Sequence, residues 1–363
     1  MSQSDLGWPD PIQLNARTPL GWPEAPALNP WSFDQVSRET ATESAPDESS
    51  ALSAAASVVA PAVDVPRETW VPIADADETP IAAAAARAVT SARSVGVAFP
   101  RPARPRRLVV ANQKGGVGKT TTTVNVAAAM AQHGLRVLVI DLDPQGNAST
   151  AFGIDHHADI PSIYDTLIDE KPLSEVALPV AELPGLVCVP ATIDLAGAEI
   201  ELVSVVARES RLKRALARFE EEFDYILIDC PPSLGLLTVN ALVAGDEVFI
   251  PIQCEYYALE GLGQLLRNVE LVRAHLNPEL SVTTILLTMY DARTRLADQV
   301  AHEVREHFGA QVLGTTIPRS VRISEAPGYG QTVVTYDPLS RGAAAYIDAA
   351  REIALRGAEG APA

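Results

Sequence analysis

The sequence predicts a doubly wound α/β domain with a mostly parallel sheet, preceded by a disordered tail. From residue 107 onward, short apolar runs alternate with helical patterns, which is typical of βαβ units. The apolar runs are nearly continuous, as in parallel strands that are buried on both faces. Residues 1–105 are instead rich in Ala, Pro, Ser and acidic residues and show neither a helical nor a strand period. Such a segment buries too little apolar surface to offset its chain entropy.

The folded domain is expected at 106–357, between the tail at 1–105 and a disordered end at 358–363. Strands are predicted at 108–111, 136–140, 186–189, 225–228, 247–252 and 282–289. Helices are predicted at 120–132, 195–208, 236–243, 259–275, 296–308 and 341–355, the first of them ending before Gly134.

The composition limits the function classes. The chain has 28 basic and 46 acidic side chains and a formal net charge of −18, which argues against a surface that binds nucleic acid everywhere. The first 100 residues carry 13 of the acidic and 5 of the basic side chains, so any nucleic-acid surface must be a local arginine cluster. No run approaches the roughly 20 apolar residues of a membrane span. Three cysteines without a CxxC spacing fit packed thiols in a reducing, cytoplasmic compartment.

All four tryptophans lie in the predicted tail, at positions 8, 22, 31 and 70. The words LGWPDP around Trp8 and LGWPEAP around Trp22 repeat each other. Exposed aromatic rings beside prolines suit docking into the groove of a partner, so Trp8 and Trp22 are candidate partner contacts. Drift within a low-complexity tail is the alternative explanation of the repeat.

A glycine-rich loop follows the first predicted strand and precedes the first predicted helix. It reads QKGGVGKT at 113–120. Glycines let the backbone fold around a pyrophosphate, and the helix adds its positive N-terminus. Lys119 supplies a positive charge to the β- and γ-phosphates, and the Thr120 hydroxyl can ligate Mg²⁺. The predicted ATP-binding residues of the loop are Lys114, Gly115, Gly116, Val117, Gly118, Lys119 and Thr120.

Three aspartates follow neighbouring predicted strands. Asp141 and Asp143 come at the end of the second strand, and Asp229 ends the strand at 225–228. In an open α/β sheet, ligands bind at the carboxyl ends of the strands, so all three are expected near the phosphates. An aspartate in the place of Asp229 can hold a water molecule bound to Mg²⁺. The sequence therefore predicts a P-loop site for ATP and Mg²⁺.

The motifs resemble those of the ParA/MinD class of ATPases, and within it the branch that partitions chromosomes and plasmids. KGGVGKTT, with Lys114 two residues before Gly116, is similar to the deviant Walker A motif of that class. The likeness runs from about 106 to 356 without large gaps. The other similar segments are DLDPQGN at 141–147, ILIDCPPS at 226–233, PIQCEYYALEGL at 251–262, LLTMYDART at 286–294, IPRSVRISEAPGYG at 317–330 and YDPLSRGA at 336–343.

The resemblance implies a nucleotide cycle. Two subunits bind Mg-ATP and close face to face as a homodimer, and Lys114 reaches the nucleotide of the partner subunit as an arginine finger does. Asp143 matches the position that orients or activates the attacking water, so the catalytic residues are Lys114, Lys119 and Asp143. Thr120, Asp229 and Asp143 match the Mg²⁺ site, the two carboxylates through water. Thr121 matches a position close to the α-phosphate.

The resemblance also implies contacts to adenine and to DNA. Met289, Pro318 and Arg319 match the adenine positions. The ATP-bound dimer of this branch binds double-stranded DNA without sequence preference, and a centromere-binding partition protein stimulates hydrolysis. Because such a dimer binds DNA, the resemblance implies that this protein is associated with the nucleoid. Non-specific DNA affinity requires cations that neutralise phosphates. The candidates are Arg293, Arg295, Arg319, Arg322 and Arg341, and pairing to acidic neighbours is the alternative for each.

Other functions of the same fold fit the sequence less well. A MinD-like membrane cycle needs a basic amphipathic helix at the C-terminus, whereas residues 350–360 are short and nearly neutral. An iron–sulfur carrier needs paired cysteines, which the sequence lacks. Operator binding needs two successive amphipathic helices in the tail, and the Pro-rich tail of this sequence lacks that pattern. A nucleotide-switched scaffold that positions a non-DNA cargo remains an alternative, against which Asp143 favours hydrolysis.

Overall fold

The structure, a computed structural model, describes residues 97–157, 159–219, 222–255 and 258–359. In this part of the chain, eight strands form one sheet. They are β1 (Arg106–Val110), β2 (Val137–Asp141), β3 (Leu178–Pro179), β4 (Leu186–Val189), β5 (Tyr225–Asp229), β6 (Glu247–Gln253), β7 (Ser281–Tyr290) and β8 (Val312–Pro318).

The strand order is β3-β4-β2-β5-β1-β6-β7-β8. All neighbours are parallel except β3, which pairs antiparallel with β4 at one edge. The chain therefore starts in the middle of the sheet and reverses its direction of travel across the sheet after β4. This order brings the carboxyl ends of β1, β2 and β5 together, which is where ligands bind in open sheets of this kind.

Helices cover both faces of the sheet. They are α1 (Lys119–Gln132), α2 (Asn147–Ala151), α3 (Ile163–Ile168), α4 (Leu173–Val176), α5 (Leu195–Glu201), α6 (Arg211–Ala217), α7 (Leu236–Ala244), α8 (Ala258–His275), α9 (Arg295–Phe308), α10 (Val321–Glu325), α11 (Val333–Tyr336) and α12 (Arg341–Ala358).

The core consists of two apolar layers, one on each face of the sheet. Successive side chains of a strand point to opposite faces, so Val109 joins one layer while Leu108 and Val110 join the other. The layer under α1 and α12, here the α1 layer, includes Val124 and Tyr346. The layer under α3 to α9 is here the α7 layer. The predicted doubly wound fold is confirmed.

The six predicted strands are all present, with ends within two residues of the prediction. Two strands were not predicted. Strand β3 has only two residues. Strand β8 lies at the sheet edge, is half-exposed, and contains a glycine and a terminal proline, which are uncommon within strands. The helix predicted at 195–208 ends at Glu201 and continues only as a short 3₁₀ turn. Three valines at 203, 205 and 206 disfavour helix there, since β-branched side chains lose rotamer freedom in it.

Residues 97–105, placed in the disordered tail by the sequence, pack against the domain. The Phe99 ring is buried and stacks on His133, with 4.1 Å between ring centroids. The Phe99 amide donates to the His133 carbonyl at 3.0 Å, and the Ala103 amide donates to that of Gly357. The domain boundary therefore moves from 106 back to about 97. The sequence did not predict this packing, because a single buried ring produces no helical or strand period. The remainder of the predicted tail, with its four tryptophans, lies outside the described residues, as does the end of the chain from 360.

The C-terminal helix α12 is part of the core. Its buried side chains, among them Tyr346 and Ile353, pack in the α1 layer. The buried Arg106 guanidinium donates to both carboxylate oxygens of Glu247 at 2.6 Å and to the Ile353 carbonyl, which joins β1, β6 and α12. Among the described residues, no helix is both long and apolar enough to cross a membrane.

Candidate nucleotide site

The glycine-rich loop lies at the centre of the sheet, because β1 pairs with β5 on one side and β6 on the other. Gly116 and Gly118 have φ angles of 74° and 88°, a left-handed conformation that glycine adopts without steric cost. Two side chains brace the loop. Asn112 donates to the Pro251 carbonyl and accepts from the Lys114 amide, and Thr288 donates to the Val117 carbonyl at 2.8 Å. The loop is thus held in shape before any ligand binds.

Lys119 begins α1 and is only 6% exposed. Burial lowers the pKa of its ammonium, while the nearby carboxylates of Asp229 and Asp143 act in the opposite direction. Its Nζ donates to the Lys114 carbonyl at 3.4 Å. The structure therefore brings Lys119, Asp143 and Asp229 together. Thr120 and Thr121, both half-buried, follow in the first turn of the helix.

Asp229 is fully buried at the end of β5. Its Oδ1 accepts a hydrogen bond from the Thr123 hydroxyl at 2.9 Å, and the Thr120 hydroxyl also stabilises the carboxylate. Its Oδ2 has no hydrogen-bond partner among the described residues. Burial, followed by the neighbouring Asp141, raises the pKa of Asp229 well above the usual range. A buried carboxylate oxygen without a partner is a position where a cation or its water can bind.

Asp141 has a different role from the one its position suggested. The carboxylate is fully buried, and it accepts from the Ser149 amide, the Ser149 hydroxyl and the Asp143 amide. It therefore holds the segment 143–149 instead of pointing at a ligand. Burial raises its pKa to about 6, and these hydrogen bonds act against that rise.

Asp143 is held by that segment at the rim of the site. Its Oδ1 accepts from the Gln145 amide at 3.0 Å. Gly146, in the left-handed region with φ 61°, then turns the chain into α2. Asp143 is buried and lies close enough to Lys119 for its carboxylate to act on the lysine ammonium.

Lys114 is held differently from Lys119. Its side chain is 31% exposed, and its Nζ lies 3.6 Å from Glu255 Oε2. The other oxygen of Glu255 accepts from Arg319 Nη2 at 3.1 Å. Glu255 thus links the P-loop lysine to the end of β8 across the mouth of the site. Sequence reading missed this glutamate, because it lies in a loop 141 positions from Lys114.

The predicted adenine positions lie on adjacent strand ends. Tyr290 of β7 pairs with Pro318 of β8, and the Arg319 amide donates to the Tyr290 carbonyl. Met289, half-buried, has a φ of 51°, which is uncommon for a residue other than glycine, and the β7–β8 register shifts beside it. Strained backbone of this kind concentrates at binding sites. The structure brings Met289, Pro318 and Arg319 together.

The predicted DNA-binding arginines are all exposed. Arg293, 89% exposed, pairs with Asp291 on its own turn, and Arg322 pairs with Glu325 and Asp337. Arg319 pairs with Glu255. Such exposed pairs are weak, because solvent and salt screen them, so a phosphate can replace the carboxylate partner. Arg295 and Arg341 begin the helices α9 and α12.

Three further residues support the site without a sequence motif of their own. Thr123 positions Asp229, Ser149 positions Asp141, and Thr288 braces the loop. Thr123 lies one helical turn after Lys119, so the helical period of α1 predicts that both side chains lie on the same face of the helix. The other two are brought in only by the fold.

The residues present fit Mg-ATP. The loop has amides and a buried ammonium for phosphates, and a Cβ placed on Gly115 or Gly116 meets no atom of the chain within 4 Å. Asp229 has an oxygen without a partner for the metal side. A strand, a loop and a helix in this arrangement, at the switch point of a parallel sheet, make the protein a P-loop nucleoside triphosphatase.

Similarity to known proteins narrows this class. A family model described as an AAA domain matches residues 106–282. The sporulation initiation inhibitor protein Soj of Bacillus subtilis is 55% identical over 251 residues, which are 69% of this chain and 98% of that protein. The chromosome partitioning protein ParA of Caulobacter vibrioides is 52% identical over 253 residues, 69% of this chain and 94% of its own. The chain belongs to the Soj/ParA family of chromosome-partitioning ATPases.

A solved structure agrees with the site. Cobyrinic acid a,c-diamide synthase from Mycobacterium smegmatis, with a bound ATP analogue and magnesium, is 41% identical, with a TM-score of 0.60 over 69% of this chain and 95% of its own. ATP and Mg²⁺ are accordingly the ligands of this P-loop.

Proposed function

We propose that this partition ATPase dimerises on Mg-ATP, binds DNA non-specifically as a dimer, and leaves the DNA after hydrolysis. The observation that carries the proposal is the contrast between the two lysines of the loop. Lys119 is buried beside Asp143 and Asp229, whereas Lys114 is partly exposed and, among the described residues, its ammonium is held by a surface ion pair with Glu255. A lysine of the first kind serves its own nucleotide, and one of the second kind is free to reach another.

The phosphates are held by the residues of the loop. Lys119 supplies charge to the β- and γ-phosphates, and the amides of 115–120 donate to their oxygens. Thr120 and Asp229 would hold Mg²⁺, the aspartate through water, with Asp143 as a further water-mediated ligand. When bound, the metal neutralises charge on the phosphate oxygens. Thr121 lies near the α-phosphate, and Met289, Pro318 and Arg319 enclose the adenine.

Hydrolysis is then assigned to Asp143 and Lys114. The Asp143 carboxylate accepts the Gln145 amide on Oδ1, which leaves Oδ2 to orient the attacking water. Lys114 of the partner subunit adds positive charge as the γ-phosphate departs. To do so it must leave Glu255. The pair lies at the surface and contributes at most about 1 kcal/mol, so separation has a low cost.

DNA binding is assigned to the exposed arginines of the late elements: Arg293, Arg295, Arg319, Arg322 and Arg341. Their present partners are exposed carboxylates that DNA phosphates would replace. A dimer has two copies of the cluster, and affinity from phosphate neutralisation rises steeply with the number of contacts. DNA binding by a chain of charge −18 therefore depends on dimerisation, and so on ATP.

Fluorescence anisotropy with duplex DNA of arbitrary sequence tests this assignment. The wild-type protein should bind with ATP and not with ADP. Arg293→Ala combined with Arg322→Ala should still form the ATP dimer but lose DNA affinity, and each lost phosphate contact should flatten the log–log salt slope by about 0.9. Arg273→Ala is the matched control, because Arg273 is also exposed and also pairs with a carboxylate of its own helix.

Two results would redirect the proposal. Full affinity in the double variant would place the DNA surface elsewhere on the protein. An ATP-dependent dimer without DNA affinity in the wild type would favour the scaffold for a non-DNA cargo.

The remaining assignments concern partners and place. We assign stimulation of hydrolysis to a centromere-binding partition protein, and the protein itself to the nucleoid in the cytoplasm. The repeated words around Trp8 and Trp22 remain candidate docking elements on a tail at 1–96, which precedes a domain at about 97–358. A membrane cycle is not proposed, since the apolar face of α12 is buried in the α1 layer.

Amide synthesis, which the name of the M. smegmatis relative implies, finds no support in the thiols of this chain. Release of ammonia from glutamine requires an activated nucleophile, and cysteine thiolates serve this role. Cys188, Cys230 and Cys254 are the three cysteines of the chain, and all are buried. Burial raises the pKa of each thiol, so none of them is an available thiolate.

A further inference from the structure

A cavity of about 480 Å³ lies between α3, α4 and α6. Part of its wall is apolar, formed by Leu173, Ala215 and Phe219. Four cationic side chains form most of the remaining wall. We refer to the whole cavity as the arginine cavity. The four cations are Lys171, Arg211, Arg214 and Arg218.

The arginine cavity is separate from the nucleotide site. The helices that form it pack in the α7 layer, to which Leu173, Leu212 and Leu216 belong. Helix α1, which carries Lys119, packs in the α1 layer on the opposite face of the sheet. A ligand of the arginine cavity is therefore not the nucleotide of the P-loop.

The carboxylates around the arginine cavity do not balance its cations. Lys171 pairs with Asp165 at 3.0 Å. The three arginines share a single described carboxylate partner, Glu170, and Arg211 also donates to the Ile168 carbonyl at 3.5 Å. Its carboxylate lies 2.9 Å from Arg211, 3.8 Å from Arg214 and 3.9 Å from Arg218. Among the described residues, three guanidinium groups therefore face one carboxylate, which leaves two positive charges in excess on a strongly acidic protein.

Polar groups in the wall also lack partners. Thr166 is 2% exposed, and its hydroxyl has no hydrogen-bond partner among the described residues. The same holds for the buried Nε of Arg211 and for the buried Nε and Nη2 of Arg214. Buried polar groups are nearly always paired in native proteins, so these donors are candidates to turn toward an acceptor that enters the cavity.

We propose that the arginine cavity binds a small phosphorylated molecule of about mononucleotide size. Guanidinium groups donate in a fork that matches phosphate oxygens. The apolar wall at Leu173 and Phe219 suits a ring or chain attached to the phosphate. The volume lies within the range of small-molecule sites, roughly 300 to 1,000 Å³. A DNA duplex fits less well, because the cations line a cavity between three helices and not a continuous exposed surface.

Glu170 lies among the three arginines, in the place that a phosphate would take. It has a φ of 58°, a left-handed position after the end of α3 where glycine is the usual residue. A phosphate that enters the cavity would therefore compete with Glu170 for the arginines. Replacement of Glu170 by glycine removes the competing charge and suits the backbone, so it should strengthen binding.

Isothermal titration calorimetry tests the proposal on the full-length protein. Lys119→Ala serves as the background, because the P-loop itself would bind the probes. Pyrophosphate and AMP are titrated separately. Loss of one charge-assisted contact in Arg214→Gln should weaken binding about ten- to hundredfold. Arg273→Gln, which removes an exposed arginine of α8, should leave it unchanged. Glu170→Gly should tighten binding several-fold, and thermal unfolding checks that each variant is folded.

Several outcomes would overturn the proposal. These are the absence of saturable binding by either probe, equal affinity in Arg214→Gln and its parent, and equal or weaker binding in Glu170→Gly. A short DNA duplex forms the last arm. If the duplex binds through Arg214 and neither small probe does, the anion is a nucleic-acid backbone and the small-molecule proposal fails.

Discussion

Replacing Asp229 by asparagine should stabilise the nucleotide-free protein at alkaline pH. Burial raises the pKa of this carboxyl to about 8, from 3.8 in an unfolded chain. The folded state therefore holds the proton more tightly than the unfolded state. The stability contributed by this proton is complete below the unfolded pKa and is lost progressively as the pH rises through the folded pKa. The amide of the Asp229→Asn variant carries no charge at any pH and so avoids this loss.

The size of the effect follows from the shift. At about 1.4 kcal/mol per pKa unit, four units set an upper limit of about 6 kcal/mol. Asp141 shares the charge of the pair, and Lys119 and Thr123 stabilise the carboxylate in part. About half of the limit, roughly 3 kcal/mol, is expected, which corresponds to a rise in Tm of about 6–12 °C for a domain of this size.

Thermal unfolding near pH 5 and near pH 8.5, with and without Mg-ADP, measures both sides of the prediction. The variant should gain more Tm near pH 8.5 than near pH 5, where the loss in the wild type has only begun, and it should lose most of the stabilisation by Mg-ADP that the wild type shows. Asp155→Asn is the control, since its side chain is 66% exposed. The same Tm difference at both pH values, or full stabilisation of Asp229→Asn by Mg-ADP, would refute the reasoning.

Three further predictions follow from the proposed cycle and the domain boundary. Lys119→Ala should abolish ATP binding measured with a fluorescent analogue, whereas Asp143→Ala should bind ATP and accumulate as a dimer in light scattering; native turnover in the second variant would contradict the role of its carboxylate. In a heterodimer with one Lys114→Ala subunit, turnover should be lost at the site of the opposite subunit, and loss at its own site would mean that the lysine acts in cis. Deletion of residues 1–96 should leave the Tm and basal ATPase activity nearly unchanged but disturb cellular positioning. Deletion of residues 1–100 also removes the buried ring of Phe99 and should lower the free energy of unfolding by roughly 2 kcal/mol. Equal Tm values for the two deletions would place the domain boundary back at 106.

Local patterns carried much of the information about the fold. Each of the six predicted strands is a run of apolar residues long enough to be seen by itself, and the order of strands and helices implies a parallel sheet. The phosphate loop was equally visible, because its glycines and Lys119 are adjacent in sequence and act through their own backbone. What stayed hidden was short or at an edge: β3, β8 and the single ring of Phe99.

The roles of the aspartates needed the tertiary structure. Asp141 and Asp143 are two positions apart and look alike in the sequence, yet one binds Ser149 and the other stays at the rim of the site. Which of them faces the ligand depends on the course of the segment 143–149, and no local pattern specifies that course.

By itself, the sequence determined the doubly wound fold and the P-loop, because each depends on neighbours along the chain. Only the tertiary structure decided the pairing of Lys114 with Glu255, the orientation of Asp229 by Thr123 from 106 positions away, and the gathering of three arginines around Glu170. These contacts join side chains that are distant in sequence. The stabilisation from each contact depends on the burial and the neighbouring charges of the two side chains. Both exist only after the sheet has formed and its helices have packed.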